Sequence, residues 1–399
     1  MKRRYFIPLF AAILMLSINT RSQDPDPEWA KRNGWAFYNF SKDTLPWSLF
    51  RETFIGVAPT PSWDFDQIFF DGMYQTKIAS PGLCYGMCVM GLLMMKNGGH
   101  LGYCCPAHLY AGGGPPDDPN LERAIEITHG NQINHGFLSF LLDVIAVNKV
   151  RDGNYAFAKV QEYLAKNDPP TICISETSGG IFGTDGHCIV PYACTGSGAN
   201  KKIWVYDPNR TWYGTGANGR DWFTNHLNFI SVNASGAWSF TMASGNVWSG
   251  DPGNGGRIIA APLSVTGRKD RLPQSLIAEG AYALNTIIIF GNVTIEQLKD
   301  SVSGRQLVND AGNDLEQCEE KRMNNLFSFI PFSGGRSLPS GNNKTLIYRG
   351  SNPMHIRFKA QGKYRIGMMF HGKYYEVTGT GNGESLLFGP EDKFIKFNR

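Results

Sequence analysis

Three residues of this chain have the types and surroundings for nucleophilic catalysis. Cys84 stands in Pro81-Gly82-Leu83-Cys84-Tyr85-Gly86-Met87-Cys88, where a glycine-bearing loop turns into the apolar block Cys84 to Lys96. A cysteine in the first turn of a helix lies against unpaired backbone N–H groups and the positive end of the helix dipole, and both stabilise a thiolate. His187 stands in Thr184-Asp185-Gly186-His187-Cys188-Ile189-Val190 at the opening of an apolar strand. Asp207 stands in Val205-Tyr206-Asp207-Pro208-Asn209 at the close of the next one. If those two strands pair as a hairpin, His187 and Asp207 share one end of it. The carboxylate can then orient the imidazole while the other ring nitrogen faces a thiol.

Cys88 is the alternative nucleophile. On a helix it shares a face with Cys84 but lies one turn deeper, among Met87, Val89, Met90 and Leu92, where burial raises a thiol's pKa and blocks access. Cys84 is therefore the expected nucleophile and Cys88 a packing or disulfide residue. Gln75 and Asn209 are the secondary candidates, Gln75 as an oxyanion donor. Each residue also has a plain explanation: an inert buried cysteine, a structural histidine, an Asp-Pro-Asn turn. Cys84 and Cys88 with Cys104, Cys105 and His108 carry zinc-type ligand chemistry. Placement of the first two within an apolar helix and adjacency of the second two argue against chelation, so no metal and no other cofactor is expected. A disulfide from Cys88 or Cys188 to Cys104 or Cys105 is the more natural use of those thiols in an exported chain.

The elements that must position these residues are legible in outline. Cys84 to Lys96 is apolar on nearly every face and ends at Asn97-Gly98-Gly99, which predicts a core helix stopped by glycine. Further helices are expected at Asn134 to Val147 and Tyr155 to Lys166, the second stopped by Asn167-Asp168-Pro169-Pro170. The period then changes to strands at Thr171 to Ser175, His187 to Ala193 and Lys202 to Tyr206. Helices first and antiparallel strands second is an α+β order. Residues 23–81 read as aromatic and loop-rich. Ser244 to Gly256 reads as a long surface loop, Arg257 to Val265 as a strand and Gly267 to Gln274 as a linker. Short β-like runs follow at Ala283 to Phe290, Thr345 to Arg349, Met354 to Phe358, Tyr364 to Phe370, Lys373 to Val377 and Phe394 to Phe397, the pattern of a β-sandwich.

A cysteine heading a core helix, then Gly186-His187 at a strand start, then Tyr206-Asp207-Pro208-Asn209 resembles the papain-like cysteine peptidase superfamily. The likeness is greatest to its bacterial branch of C39-like, bacteriocin-processing-type peptidases, and it covers roughly residues 60 to 265. The resemblance implies a papain-like domain built from a buried N-terminal helix and an antiparallel sheet, with a Cys-His-Asp triad acting through an acyl-enzyme. Such enzymes carry a glutamine several residues before the nucleophile. Here the nearest is Gln75, nine positions before Cys84 and farther than that spacing. A transglutaminase-like acyl transferase and a non-catalytic papain-like binding or adhesion protein are the rival expectations.

Composition bounds the rest. The chain has 399 residues with 42% apolar, 18% charged and a net charge of +4, and beyond residue 4 no basic cluster exceeds two residues, so nucleic acid is not an expected partner. Lys2-Arg3-Arg4, the apolar run Tyr5 to Leu16 and polar Ser17 to Gln23 read as a signal peptide over residues 1–22, cut near Ser22-Gln23. The expected product is secreted, periplasmic or on the cell surface, with no membrane span after cleavage. It is expected to comprise a cysteine hydrolase domain over residues 23–266 and a β-sandwich domain over residues 271–399, the latter available for cell-surface contact. A peptide or protein is the expected substrate.

Overall fold

The structure is a computed structural model that describes residues 25–42, 44–60, 65–79, 82–104, 107, 116–176, 186–273, 284–302, 306–308, 326–328, 344–349, 354–370 and 373–389. The expected signal peptide and its cut lie outside the described residues, as do Pro81, Cys105, His108 and the run Phe394 to Phe397. Among the described residues no helix is long and apolar enough to cross a membrane.

The fold is α+β. Four helical pieces precede the nucleophile position: α1 (Trp29–Asn33), α2 (Trp47–Thr53), α3 (Phe65–Phe69) and a π-helical segment (Phe70–Ala79). The region read as loops is thus largely helical, and its aromatic residues are core: Trp35, Phe37, Phe50, Phe54, Phe69 and Tyr74 are buried. Next comes α4 (Cys84–Asn97), buried from Cys84 to Met94 and closed by Gly98 at φ 65°. An added Cβ at Gly86 would lie 2.3 Å from the Ile125 carbonyl oxygen, so glycine permits the close approach to the next helix.

That helix, α5 (Pro119–Gly130), has no counterpart in the sequence reading. Its start is well marked: Asp118 caps it by accepting from the N–H groups of Asn120 and Leu121, and Pro119 occupies the first turn. Asn134 caps α6 (His135–Ala146) and Asp152 caps α7 (Gly153–Ala165) in the same way.

The first sheet has eight antiparallel strands in the order β7-β6-β5-β4-β3-β2-β1-β8. Its strands are β1 (Pro170–Ser175), β2 (Gly186–Thr195), β3 (Lys201–Tyr206), β4 (Phe229–Val232), β5 (Trp238–Thr241), β6 (Val247–Asp251), β7 (Asn254–Gly255) and β8 (Arg257–Pro262). The short helix α8 (Arg220–Thr224) falls between β3 and β4, and α9 (Leu263–Thr266) follows β8. Ser244 to Gly256, read as a loop, contains β6 and β7. The glycines there disguised a small hairpin in which Gly250 pairs with Gly255.

The C-terminal strands form one six-stranded antiparallel sheet among the described residues. They are β9 (Leu284–Asp300), β10 (Gln306–Val308), β11 (Leu326–Ser328), β12 (Lys344–Arg349), β13 (Met354–Phe370) and β14 (Lys373–Phe388). The runs Met354 to Phe358 and Tyr364 to Phe370 are one strand. The intervening Gln361-Gly362 resembles a turn but pairs with Asn382 and Gly381, and the ladder shifts register there instead of ending. One side of this sheet has its own core around Ile356, Phe358 and Ile366. Ile288, Ile347 and Met369 join the larger core instead. The expected linker is anchored: the carbonyl groups of Arg268, Asp270 and Arg271 accept from the Asn134 side chain and from the backbone N–H groups of Ile55 and His135.

Candidate active site

The nucleophile, base and orienter converge where three elements end. β2 pairs with β3 only as far as Val190 opposite Tyr206, so β3 stops short of the first residues of β2. The head of α4 occupies the edge thus exposed. Cys84 Sγ accepts a hydrogen bond from the N–H of Cys188 at 3.3 Å, and Cys88 Sγ donates to the C=O of the same residue at 3.3 Å. The two cysteines therefore bracket one residue, Cys188, in opposite senses. An N–H aimed at Cys84 favours its thiolate, whereas the bond made by Cys88 requires the thiol proton.

His187 precedes Cys188 in β2 and Asp207 follows the last residue of β3. His187 Nε2 lies 2.7 Å from Asp207 Oδ1, and both side chains are fully buried. An ionised carboxylate only accepts, so Nε2 carries a proton toward Asp207. Nδ1 is buried and has no hydrogen-bond partner.

Asp207 is held by three donors. Besides His187, the Asn209 N–H reaches Oδ1 at 2.8 Å and Arg210 Nη1 reaches Oδ2 at 2.9 Å. Burial alone would raise this carboxyl, but the charge and hydrogen bond of His187, the Arg210 guanidinium and the Asn209 N–H together hold it below the ordinary carboxylate value. Arg210 is itself enclosed, with its guanidinium 4.1 Å from the centre of the Trp222 ring. At the thiols burial dominates: it pushes Cys84 well above the usual range despite the lowering hydrogen bonds from the Cys188 and Tyr85 backbone, and it raises Cys88 and Cys173 likewise. This direction favours Cys84 as a neutral thiol.

Of the secondary candidates, Asn209 contributes its backbone N–H to Asp207. Gln75 is committed elsewhere: its amide exchanges two hydrogen bonds with the backbone N–H and C=O of Leu45. The structure brings in Asn39 in its place. Asn39 Oδ1 accepts from the Leu83 N–H at 2.7 Å, next to Cys84, and its backbone N–H donates to the Pro208 carbonyl at 2.8 Å, next to Asp207. It thereby ties the nucleophile loop to the aspartate loop. No local signal marks Asn39, which lies 44 residues before Leu83 in sequence. Arg210 was more discoverable, as a cation three residues beyond an aspartate that needs a counter-charge.

His129 is a buried residue of α5, close to the first turn of α4. Its Nδ1 accepts from the Gly86 N–H at 3.2 Å, and burial depresses its pKa to about 3. The expected disulfide partners do not meet: Cys88 and Cys188 are both thiols. Among the described residues no group of three His, Cys, Asp or Glu side chains is placed to hold a metal ion. No family model, curated protein or solved structure matches this chain.

Proposed function

We propose that the protein is an exported cysteine hydrolase of papain-like type, cleaving peptide or other amide bonds through Cys84, His187 and Asp207. The observation that carries this reading is the buried His187 ring, protonated toward Asp207 at Nε2 and unpartnered at Nδ1, beside a cysteine whose sulfur accepts the N–H of the next residue along the strand. A purely structural histidine in a dry core satisfies both nitrogens.

In this mechanism the Cys84 sulfur attacks a carbonyl carbon as its proton passes to His187 Nδ1. Asp207, kept ionised by Arg210, stabilises the imidazolium that forms. The oxyanion is met by the backbone N–H of Cys84 at the start of α4 and by the Asn39 carboxamide, whose oxygen already grips the Leu83 N–H. His187 returns its proton to the leaving amine, and water, deprotonated by the same nitrogen, then releases the acyl group from sulfur. The thiol starts protonated, which agrees with the raised Cys84 pKa.

A second reading has its own support. Cys84 and His187 have no exposure to solvent, as suits a papain-like shell kept for binding. Thiol alkylation decides between the two. The full chain is treated with iodoacetamide or a peptidyl epoxide and mapped by mass spectrometry. The hydrolase reading expects Cys84 to label first, and His187→Ala to slow labelling and turnover by roughly 10²–10⁴-fold. Uniformly slow thiols would leave the binding module as the better account, whereas labelling that begins at Cys88 and survives Cys84→Ala would move the nucleophile to Cys88.

A further inference from the structure

Two cysteine side chains, one on the base-bearing strand and one on its neighbour, take no part in the chemistry proposed above. Cys173 in β1 and Cys188 in β2 are register partners, both fully buried and both thiols, with their sulfurs 4.0 Å apart. Partners across an antiparallel ladder come in two kinds. In hydrogen-bonded pairs the Cα atoms are about 5.5 Å apart, and in non-hydrogen-bonded pairs about 4.5 Å, with the side chains closer.

The backbone of Cys188 shows which kind this is. Its N–H goes to Cys84 Sγ and its C=O receives Cys88 Sγ, both from α4 on the far side from β1. Neither group points at Cys173, so the pair is of the second kind. A Cα separation near 4.5 Å falls within the roughly 4.4–6.8 Å that a disulfide spans. Bringing the sulfurs into bonding distance therefore needs side-chain rotation and no strand movement.

We propose that Cys173 and Cys188 form an intrachain disulfide when the chain folds under oxidising conditions, stapling β1 to β2 beside His187. Two S–H bonds break and one S–S bond forms. The two electrons and two protons pass to a disulfide oxidant such as oxidised glutathione, which leaves as two thiols. Both sulfurs are enclosed in the finished core, so the exchange occurs before β1 and β2 seat against α4. Cys88 competes poorly, because its proton is engaged with the Cys188 carbonyl and a bond to Cys188 would forfeit that contact. The bridge also protects the site: with Cys188 paired to Cys173, the thiol nearest in sequence to His187 is withdrawn from exchange with Cys84. This partner for Cys188 replaces the expected Cys104 or Cys105.

The test uses the full chain refolded in a reduced and oxidised glutathione buffer, denatured in N-ethylmaleimide and digested without reduction. The expected result is two fewer N-ethylmaleimide adducts than in the fully reduced chain treated alike, a cross-linked peptide pair containing Cys173 and Cys188, and Cys84 alkylated. Dithiothreitol should lower the melting temperature of the wild-type protein by several degrees and leave that of Cys173→Ala unchanged. Alkylation of both Cys173 and Cys188, or a cross-link from either to Cys84 or Cys88, overturns the proposal. Peptide mapping of the wild-type chain decides the matter even if Cys173→Ala does not fold.

Discussion

The eight-stranded sheet encloses His187, Asp207 and Arg210 together, none more than 3% exposed, whereas the six-stranded sheet keeps its ion pairs at the rim. There Lys359 pairs with Glu296 and Arg365 with Glu376, with side-chain exposures between 19% and 49%. Among the described residues, the buried polar side chains of the second sheet are Asn285, Thr286 and Thr345, all uncharged. Both sheets are antiparallel and both have an apolar core, so stability alone does not call for the difference. Burying an ion costs several kcal/mol that an apolar substitute would avoid, and its Coulomb partner repays that only with good geometry. A sheet that can manage without buried charge, in the same chain, makes the cluster in the other a sign of function.

The sharpest test removes the same kind of carboxylate from each sheet. Asp207→Ala leaves the buried Arg210 guanidinium without its anion and should destabilise the protein by about 3–5 kcal/mol in urea or thermal unfolding. Its pH dependence follows from the same geometry. The Asp207 carboxyl is held below its ordinary value of about 3.9, so the unfolded chain takes up this proton first as the pH drops. The contribution is fully present above pH ~4 and is lost as the pH falls further, through the folded-state value. Wild type should therefore show a stability slope below pH ~4 that is smaller in Asp207→Ala. Equal stability of the two proteins at pH 7 would erase the contrast between the sheets.

Legibility in the sequence follows the same division. The nucleophile helix was readable because an all-apolar block has one physical use and glycine ends it, and the structure places it at Cys84–Asn97. Strands β1 to β3 were readable because apolar β-branched runs lay between turn formers. The helix α5 was missed because its apolar face is only one stripe, leaving it near-neutral in mean hydropathy, although its Asp118-Pro119 start was present. The six-stranded sheet was read as more and shorter strands because glycines inside β13 and β14 look like turns. Gly362, at φ 80°, and Gly383, at φ 93°, instead bend strands that continue. Asn39 was illegible for another reason: its two contacts join segments far apart in sequence.

A middle-sized effect is expected where the two regions meet. Gly72 of the π-helical segment abuts β9, and an added Cβ would lie 2.4 Å from Ile288 Cγ2 and 2.7 Å from Phe290 Cζ. Gly72→Ala must push the second sheet away or distort the segment, an overpacking expected to cost about 1–3 kcal/mol. Hydrogen exchange should show loss of protection on both β9 and the helices around the segment. Loss confined to one side would mean that the cores are less joined than Ile288, Ile347 and Met369 indicate.

The smallest effect belongs to the rim of the second sheet. Glu376 Oε2 accepts from Arg365 Nη2 at 2.9 Å and also from the Tyr374 hydroxyl. Water still reaches both ions of the pair, whose side chains are 23% and 29% exposed. Solvent screening reduces the Coulomb energy, and neither ion is stranded when the other is removed, because water solvates it. Glu376→Gln keeps the length of the side chain and a carbonyl oxygen for both donors, so only the charge is lost. The expected change is about 0–1 kcal/mol, diminishing further at high salt as the Debye length shrinks. Catalytic turnover should be unchanged. A loss comparable to that of Asp207→Ala would show that the six-stranded sheet also depends on charge, and would remove the reason for locating function in the first sheet alone.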